Sequence, residues 1–407
     1  MKARELQAML ALYLSPIYIV LNVYLLLRMI SWMGACHHIC EHPMVRIGFI
    51  ILYILLATSL LTGFLLPEGE LKRICKIIGN YWLGVLLYTS LTVLTADLLR
   101  ILLNINPRIR QNPILHTRTF FAIAGGICAV IIITLSTWGV VNARIIHTTP
   151  YNVTVHKSAG TLSSLNVVLV ADLHMGYNIG KDHISNMVQK INAQNPDLVV
   201  IAGDIFDNEY ESLKDPEKLE SILRGIQSKY GVYACYGNHD IEEKILAGFT
   251  FDTKNQEKAS DPRMDEFLEK ANIRLLHDEG ILIDNSFYLF GRADASRPGK
   301  DIDSRKTPAE ITANMDKRKP ILVIDHQPKE LSGLSAAGVD LDLCGHTHDG
   351  QMFPGNLTVS LMWENSCGYL QKGNMHNIVT SGVGIFGPNM RVGTKAEICP
   401  IHVTFEP

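Results

Sequence analysis

Four long runs without a charged residue occupy most of the first 145 residues: 6–27, 47–67, 77–96 and 119–143. An α-helix of about 20 residues rises roughly 30 Å, the hydrocarbon thickness of a bilayer. Each run is long enough to cross, and short polar or basic connections divide them. Residues 1–145 are therefore expected to form a transmembrane module of four helices. Pro16 does not exclude the first span, because neighbouring helices can satisfy the carbonyl it frees. Tyr81, Trp82 and Trp138 suit interfacial or bundle positions. A cleaved leader accounts poorly for the first run, since it is long and further spans follow it.

Orientation is divided in the charges. Arg100, Arg108, Arg110 and Arg118 between the third and fourth runs favour a cytoplasmic connection, which puts everything after Ala143 outside. Lys2, Arg4, Lys72, Arg73, Lys76 and Arg144 favour the opposite sense. The hydrophobic share of 47 % conceals a division near residue 145, and a net charge of -3 gives no reason to expect a nucleic-acid partner. The eight cysteines are scattered singly, without a CxxC pair, and say little about redox compartment.

After a linker over 146–164, the pattern becomes that of a globular domain over 165–407. Compact β-branched runs at 166–171, 197–202 and 232–236 alternate with helical periodicity at 182–192 and 216–228. Further strands are expected at 281–284 and 287–290, at 320–324, at 341–344, around Val379 and at 398–405. Strand and helix alternating in this way call for a covered α/β sheet. Hydrophobic strands here repeatedly deliver Asp, Asn or His at their C-terminal ends, where open α/β sheets place their chemistry.

The delivered residues are Asp172 and His174, then Asp204 with Asp207, then Asn238, His239 and Asp240, then His326, and finally His346 and His348. Any one of them reads more readily as a turn or cap residue. Together they make the mixed oxygen and imidazole donor set that a pair of divalent ions needs, with one carboxylate between the ions. Asp240 is placed to orient a histidine from behind. Residue chemistry alone does not divide the donors between two ions.

In Asp172-Leu173-His174, Gly203-Asp204 through Asp207, Gly237-Asn238-His239-Asp240, His326 and Gly345-His346-Thr347-His348, the sequence resembles the calcineurin-like metallophosphoesterases. It is most similar to their membrane-associated branch, which includes lipid-precursor pyrophosphatase-like members. The likeness covers roughly 165–404 and extends to the segment from Gly382 through Gly387-Pro388 and Arg391 to Glu397. It implies a four-layer α/β/β/α sandwich. It also implies one metal on Asp172, His174, Asp204 and His348, and a second on Asp204, Asn238, His326 and His346, with Asp204 as the bridge. His239 would then act as electrostatic stabiliser or proton donor at the phosphate, with Asp240 behind it. One departure is Asp349, where the branch commonly has glycine.

Other residues have two readings. Gln351 and Arg391 either contact the substrate's anionic group or brace a loop, and Asp207 is either a site residue or a loop brace. The polar stretch 249–263 reads as a solvated insertion or a cover over the site, and the basic stretch 292–305 as a loop facing phosphate or a solvated one. Asn152 and Asn356 match the glycosylation pattern, which is uninformative without a glycosylating compartment.

The expected activity is hydrolysis of a phosphoester or phosphoanhydride by a hydroxide held between two divalent ions, Mn2+ first, with Zn2+, Fe2+ or Mg2+ as alternatives. The expected partners are a lipid bilayer and a phosphate-containing small molecule or lipid. The expected location is a multi-pass membrane with the catalytic domain outside the cytoplasm. The rival reading is a transporter or signalling module with a regulatory phosphoesterase domain. It requires ionisable residues within the spans, for which Asp97 is the candidate.

Overall fold

The computed structural model describes residues 2–241, 245–246, 249–250, 260–299 and 302–406, with side chains from residue 15 onward except at 242–259, 300–301 and 407. Most of the polar stretch 249–263 thus lies outside the described side chains. The chain divides into two compact units.

The first unit holds helices α1 (Lys2–Cys36), α2 (Pro43–Leu65), α3 (Glu70–Leu103), α4 (Pro107–Arg110) and α5 (Arg118–Asn142), together with a short hairpin, β6 (Ile245–Leu246) and β7 (Phe249–Thr250). Ser15–Cys36, Pro43–Leu65, Glu70–Leu103 and Arg118–Asn142 are each long and apolar enough to span a membrane. Pro16 lies inside α1 without ending it, and α1 continues nine residues beyond the expected end at residue 27. The packing is the inverse of a soluble bundle. Ile51, Leu55, Ile123, Ile127 and Ile133 point outward, whereas polar side chains bond inward. The Tyr18 hydroxyl donates to the Ala57 carbonyl at 2.7 Å, the Tyr53 hydroxyl to Asn22 at 3.1 Å, and Trp32 Nε1 to the Ala122 carbonyl at 3.0 Å. Asp97 is engaged by both Arg28 and Tyr24. In hydrocarbon such pairing is what an ionisable side chain requires. It gives Asp97 a role in holding α1 to α3.

In the second unit one sheet has seven strands, β1 (Ile146–Thr148), β2 (Tyr151–Val155), β3 (Ser164–Val170), β4 (Leu198–Ala202), β5 (Val232–Cys235), β8 (Ile273–Leu275) and β15 (Ala396–Phe405). Its order is β1-β15-β3-β4-β5-β8, with β2 also on β15. The other sheet has six, β9 (Glu279–Ile283), β10 (Phe287–Gly291), β11 (Ile321–Ile324), β12 (Leu341–Cys344), β13 (Gly368–Lys372) and β14 (Met375–Val379). Its order is β13-β14-β12-β11-β10-β9. The expected linker over 146–164 is corrected here. Ile146 and Tyr151 enter parallel pairing with Ala396 and Ile401, so this segment builds the sheet instead of connecting to it.

Alternation along the strands sets the layers. Val167, Leu169, Leu198 and Val200 face Phe287, Leu289, Leu322, Ile324, Leu341 and Leu343 in the core between the sheets. The alternate residues Val168, Val170, Val199 and Ile201 pack under α6 (Lys181–Asn192), α7 (Pro216–Leu223) and α8 (Pro262–Lys270). On the far side, Phe290, Ile321 and Val323 pack under α9 (Pro308–Thr312) and α10 (Leu331–Ala337). The result is the expected four-layer α/β/β/α sandwich. Strands β3, β4 and β5 are mutually parallel, as are β10, β11, β12 and β14.

Candidate metal centre

The C-terminal ends of β3, β4, β5, β11 and β12 carry the site residues, and the backbone turns sharply as it leaves each sheet. Asp172, His174, Asp204, His346 and His348 all have left-handed backbones, with φ of 54, 43, 50, 75 and 51°. L-residues hold such angles only where surrounding structure imposes them, at a cost of order 1–3 kcal/mol each. Two glycines make the convergence possible. Gly203 has a φ of 77°, and a Cβ there would lie 2.7 Å from His326 Nδ1. A Cβ on Gly237 would lie 2.2 Å from Asp204 Oδ1.

The side chains meet in two groups joined at one oxygen. In the first, His174 Nε2 and His348 Nε2 are 3.0 Å apart, with His348 Nε2 3.5 Å from Asp172 Oδ1. In the second, His326 Nε2 is 3.1 Å from both His346 Nδ1 and Asn238 Oδ1. Asp204 Oδ2 lies between, 3.6 Å from His174 Nε2 and 3.2 Å from His326 Nε2. Asp172, His174 and His348 form one compact donor cluster, and Asp204, His326 and His346 another.

Backbone groups hold the donors in place. His346 N–H donates to both oxygens of Asp172, at 3.0 and 3.1 Å, and His239 N–H donates to Asp204 Oδ1 at 2.8 Å. His326 Nδ1 lies 2.9 Å from the Ala202 carbonyl, which commits its proton there and leaves Nε2 as the donor atom. Electrostatically the cluster is under-compensated. Burial first, and then the neighbouring Asp204, push Asp172 up to about 7. Burial pushes His174 down to about 4 and His346 to about 3. Buried lone pairs of nitrogen and oxygen aimed at common points fit a pair of cations, and the mixed donor set suits divalent metals.

The structure reassigns several supporting residues. Asp240 does not stand behind His239: it accepts from the N–H groups of Ile205 and Phe206 at 2.8 Å and of Gly237 at 2.7 Å, tying together the loops after β4 and β5. Asn208 takes the place beside the histidine, with Oδ1 2.8 Å from His239 Nδ1. Asp207 joins His174 and His239 in a third, less buried cluster. Phe386 closes over these rings, with centroids 4.4 Å from His239 and 5.6 Å from His174. Neither Asn208 nor Phe386 was expected from the sequence. Asn208 follows Asp207 directly and offered a weak signal; Phe386 sits among the late glycines and offered none.

Of the two readings of Gln351 and Arg391, bracing is the one the contacts support. Gln351 makes paired bonds of 2.9 Å with the Phe386 backbone. Arg391 is fully buried and donates to the carbonyls of His348, Ser381, Gly382 and Gly384 at 2.6–3.3 Å. Arg391→Ala is therefore expected to lower domain stability by about 3 kcal/mol, because buried carbonyls lose their donors. Thermal melting alongside KM separates the roles: an unchanged melting temperature with a raised KM would restore substrate contact. The basic stretch 292–305 is likewise largely spent on structure. Arg292 and Arg305 both bind Asp325 and Glu330, fixing the loop that carries His326, and Arg297 donates to the Asn238 carbonyl at 2.7 Å.

The calcineurin-like phosphoesterase family matches residues 165–350. A protein from Campylobacter jejuni, described as an uncharacterized metallophosphoesterase, is 28 % identical over 241 residues, 59 % of each chain. A transmembrane protein with metallophosphoesterase domain from Danio rerio is 28 % identical over 283 residues, 66 % of this chain and 60 % of that one. A UDP-2,3-diacylglucosamine pyrophosphatase from Chlamydia trachomatis is 23 % identical over 252 residues, 54 % of this chain and 72 % of that one. The matches span about three fifths of the length of the first two relatives. The chain thus carries a calcineurin-like metallophosphoesterase domain. That domain is joined to a region of four helices with the length and composition of membrane spans, the arrangement of a multi-pass integral membrane protein.

Proposed function

We propose that this protein is a membrane-anchored, metal-dependent phosphoesterase that hydrolyses a phosphoester or phosphoanhydride of a lipid-linked substrate. The observation that carries the reading is Asp204 Oδ2 standing between two imidazole-rich clusters, within 3.6 Å of one and 3.2 Å of the other. Asp172, His174, Asp204 and His348 would hold one ion, and Asp204, Asn238, His326 and His346 the second. Two divalent ions held there, Mn2+ foremost, would supply charge for the phosphate oxygens and acidity for a water nucleophile.

The chain's own groups do the rest. Asp204 offers a negative charge to both positions, and the His239 N–H keeps its other oxygen in place. Asn208 holds His239 Nδ1, so that Nε2 is the ring nitrogen left for the phosphate or leaving oxygen. Phe386 and the paired Gln351 bonds keep the rings from turning away. Support for a lipid-linked phosphate comes from the spans and from the Chlamydia relative, whose stated substrate is a diacylated sugar nucleotide.

The test is hydrolysis by the purified full chain with Mn2+, comparing p-nitrophenyl phosphate, its bis ester and a lipid-linked pyrophosphate. A kcat/KM about tenfold or more above the soluble esters is expected for the lipid-linked compound, since remote binding energy adds to catalysis. Equal values would remove the lipid assignment.

We further place the catalytic domain outside the cytoplasm, on the weight of Arg108 and Arg110 in the connection before α5 and Arg118 at its first residue. Lys229→Cys is expected to react with a membrane-impermeant maleimide in intact cells beyond the background of the parent protein. Labelling only after lysis would reverse the orientation.

A further inference from the structure

Residues 350–363 contain no charged side chain, an unusual run for the surface of a water-facing domain. They leave the metal centre directly after His348 and Asp349, form helix α11 (Gly355–Met362), and return to the centre at Trp363. The Trp363 ring packs edge-on against the ring of His346, with centroids 5.1 Å apart. A surface helix ordinarily hides one apolar face in a core. Among the residues of α11 none is buried. Leu357, Leu361 and Met362 are 54, 88 and 76 % exposed, and the preceding Phe353 is 48 % exposed.

Three further features point to what covers this face. Two of the three polar side chains of α11, Thr358 and Ser360, are satisfied by the helix itself, whereas Asn356 in its first turn keeps a buried Oδ1 without a hydrogen-bond partner. Thr358 Oγ1 donates to the Gly355 carbonyl at 2.7 Å and Ser360 Oγ to the Leu357 carbonyl at 2.9 Å, as groups entering hydrocarbon must be. Lys329 Nζ lies 5.4 Å from the Trp363 ring centroid, the aromatic and basic pairing that suits a headgroup boundary. The last candidate span, α5, ends at Asn142 and the first strand of the catalytic sheet begins at Ile146, so a bilayer is tethered to this domain by three intervening residues. An apolar cluster of this kind on a tethered domain marks an interaction surface.

We propose that α11, with Phe353, inserts its Leu357, Leu361 and Met362 side chains into the surface of the bilayer. It thereby sets the mouth of the metal centre at headgroup level, where a phosphate attached to a lipid reaches His346 and Trp363 without leaving the membrane. The substrate part of this inference rests on the lipid-linked reading above; the insertion itself does not.

The experiment uses the full chain in phosphatidylcholine and phosphatidylglycerol nanodiscs, with p-benzoylphenylalanine replacing Leu361 and, as a control in α5, Ile127. Irradiation followed by mass spectrometry of the labelled peptide is expected to find acyl-chain adducts at both positions. Adducts at 127 but none at 361, or a cross-link from 361 to a second copy of the chain, would overturn the proposal. In parallel, the double variant Leu361→Glu and Met362→Glu is expected to lose about tenfold or more in kcat/KM on a bilayer-embedded lipid pyrophosphate. The same variant should keep its activity on p-nitrophenyl phosphate. An equal effect on both substrates, or on neither, would count against a role in presenting the membrane. Should the wild type cleave no lipid-linked phosphate while residue 361 still cross-links to lipid, the substrate reading fails and insertion stands.

Discussion

Asp204→Asn is expected to lower kcat by about three orders of magnitude or more, since metal charge at a phosphoryl centre supplies several kcal/mol of barrier reduction. The substitution preserves volume and keeps an acceptor for the His239 N–H, so the loops after β4 and β5 retain their 2.8 Å contact. What it removes is the charge between the clusters. Burial pushes the Asp204 carboxyl up, but His326, His239 and His174 around it hold it well below the usual carboxylate range. An uncharged amide cannot serve two cations from one oxygen in the same way. Circular dichroism and melting are expected to change little; near-normal turnover would remove Asp204 from the centre of the mechanism.

His239→Asn is expected to slow hydrolysis of substrates with poor leaving groups by about a hundred- to a thousandfold, the usual range for a positioned acid or charge stabiliser. Burial pushes the His239 imidazole down to about 3, with Asp204 acting in the opposite sense. With Nδ1 held by Asn208 Oδ1, Nε2 can donate to a phosphate or leaving oxygen only when the ring takes up a proton beside that oxygen's negative charge. Because Asn208 occupies Nδ1, the interaction with the leaving oxygen falls to Nε2. A p-nitrophenolate leaves with little help, so the penalty on p-nitrophenyl phosphate is expected to be at least tenfold smaller than on an alkyl phosphate. Equal losses on both would assign His239 to ground-state phosphate binding instead.

Much of this architecture was legible because it is local. Strands β3, β4, β11 and β12 are continuous β-branched or leucine-rich runs, and each ends where a polar ligand-type residue begins. The metal-ligand candidates could be read from those ends, and the structure brings Asp172, His174, Asp204, Asn238, His326, His346 and His348 together. Strands β1 and β2 were missed for the opposite reason. Ile146 pairs with Ala396 across most of the domain sequence, and although Tyr151–Val155 alternates as a strand does, nothing local names β15 as its partner. Strand β13, Gly368–Lys372, is a polar edge strand that lacks a hydrophobic run.

The supporting roles of Asp240 and Arg391 were hard to read for one shared reason. Asp240 bonds to three backbone N–H groups, and a backbone donor leaves no mark in the side-chain sequence. Arg391 likewise spends its guanidinium on carbonyls whose positions are set only when the glycine-rich loop after β14 folds over β3. The expected first span, 6–27, lies within α1, but hydropathy did not show that the helix continues through Arg28 to Cys36, with Asp97 compensating the charge.

The central claim is a pair of metal ions sharing Asp204, and electron paramagnetic resonance of the Mn2+-loaded full chain tests it most directly. Two bound Mn2+ per chain with an exchange-coupled spectrum are expected, together with loss of the coupled signal in Asp204→Asn. A single bound ion, or two ions giving only isolated Mn2+ signals in the wild type, would contradict the shared centre.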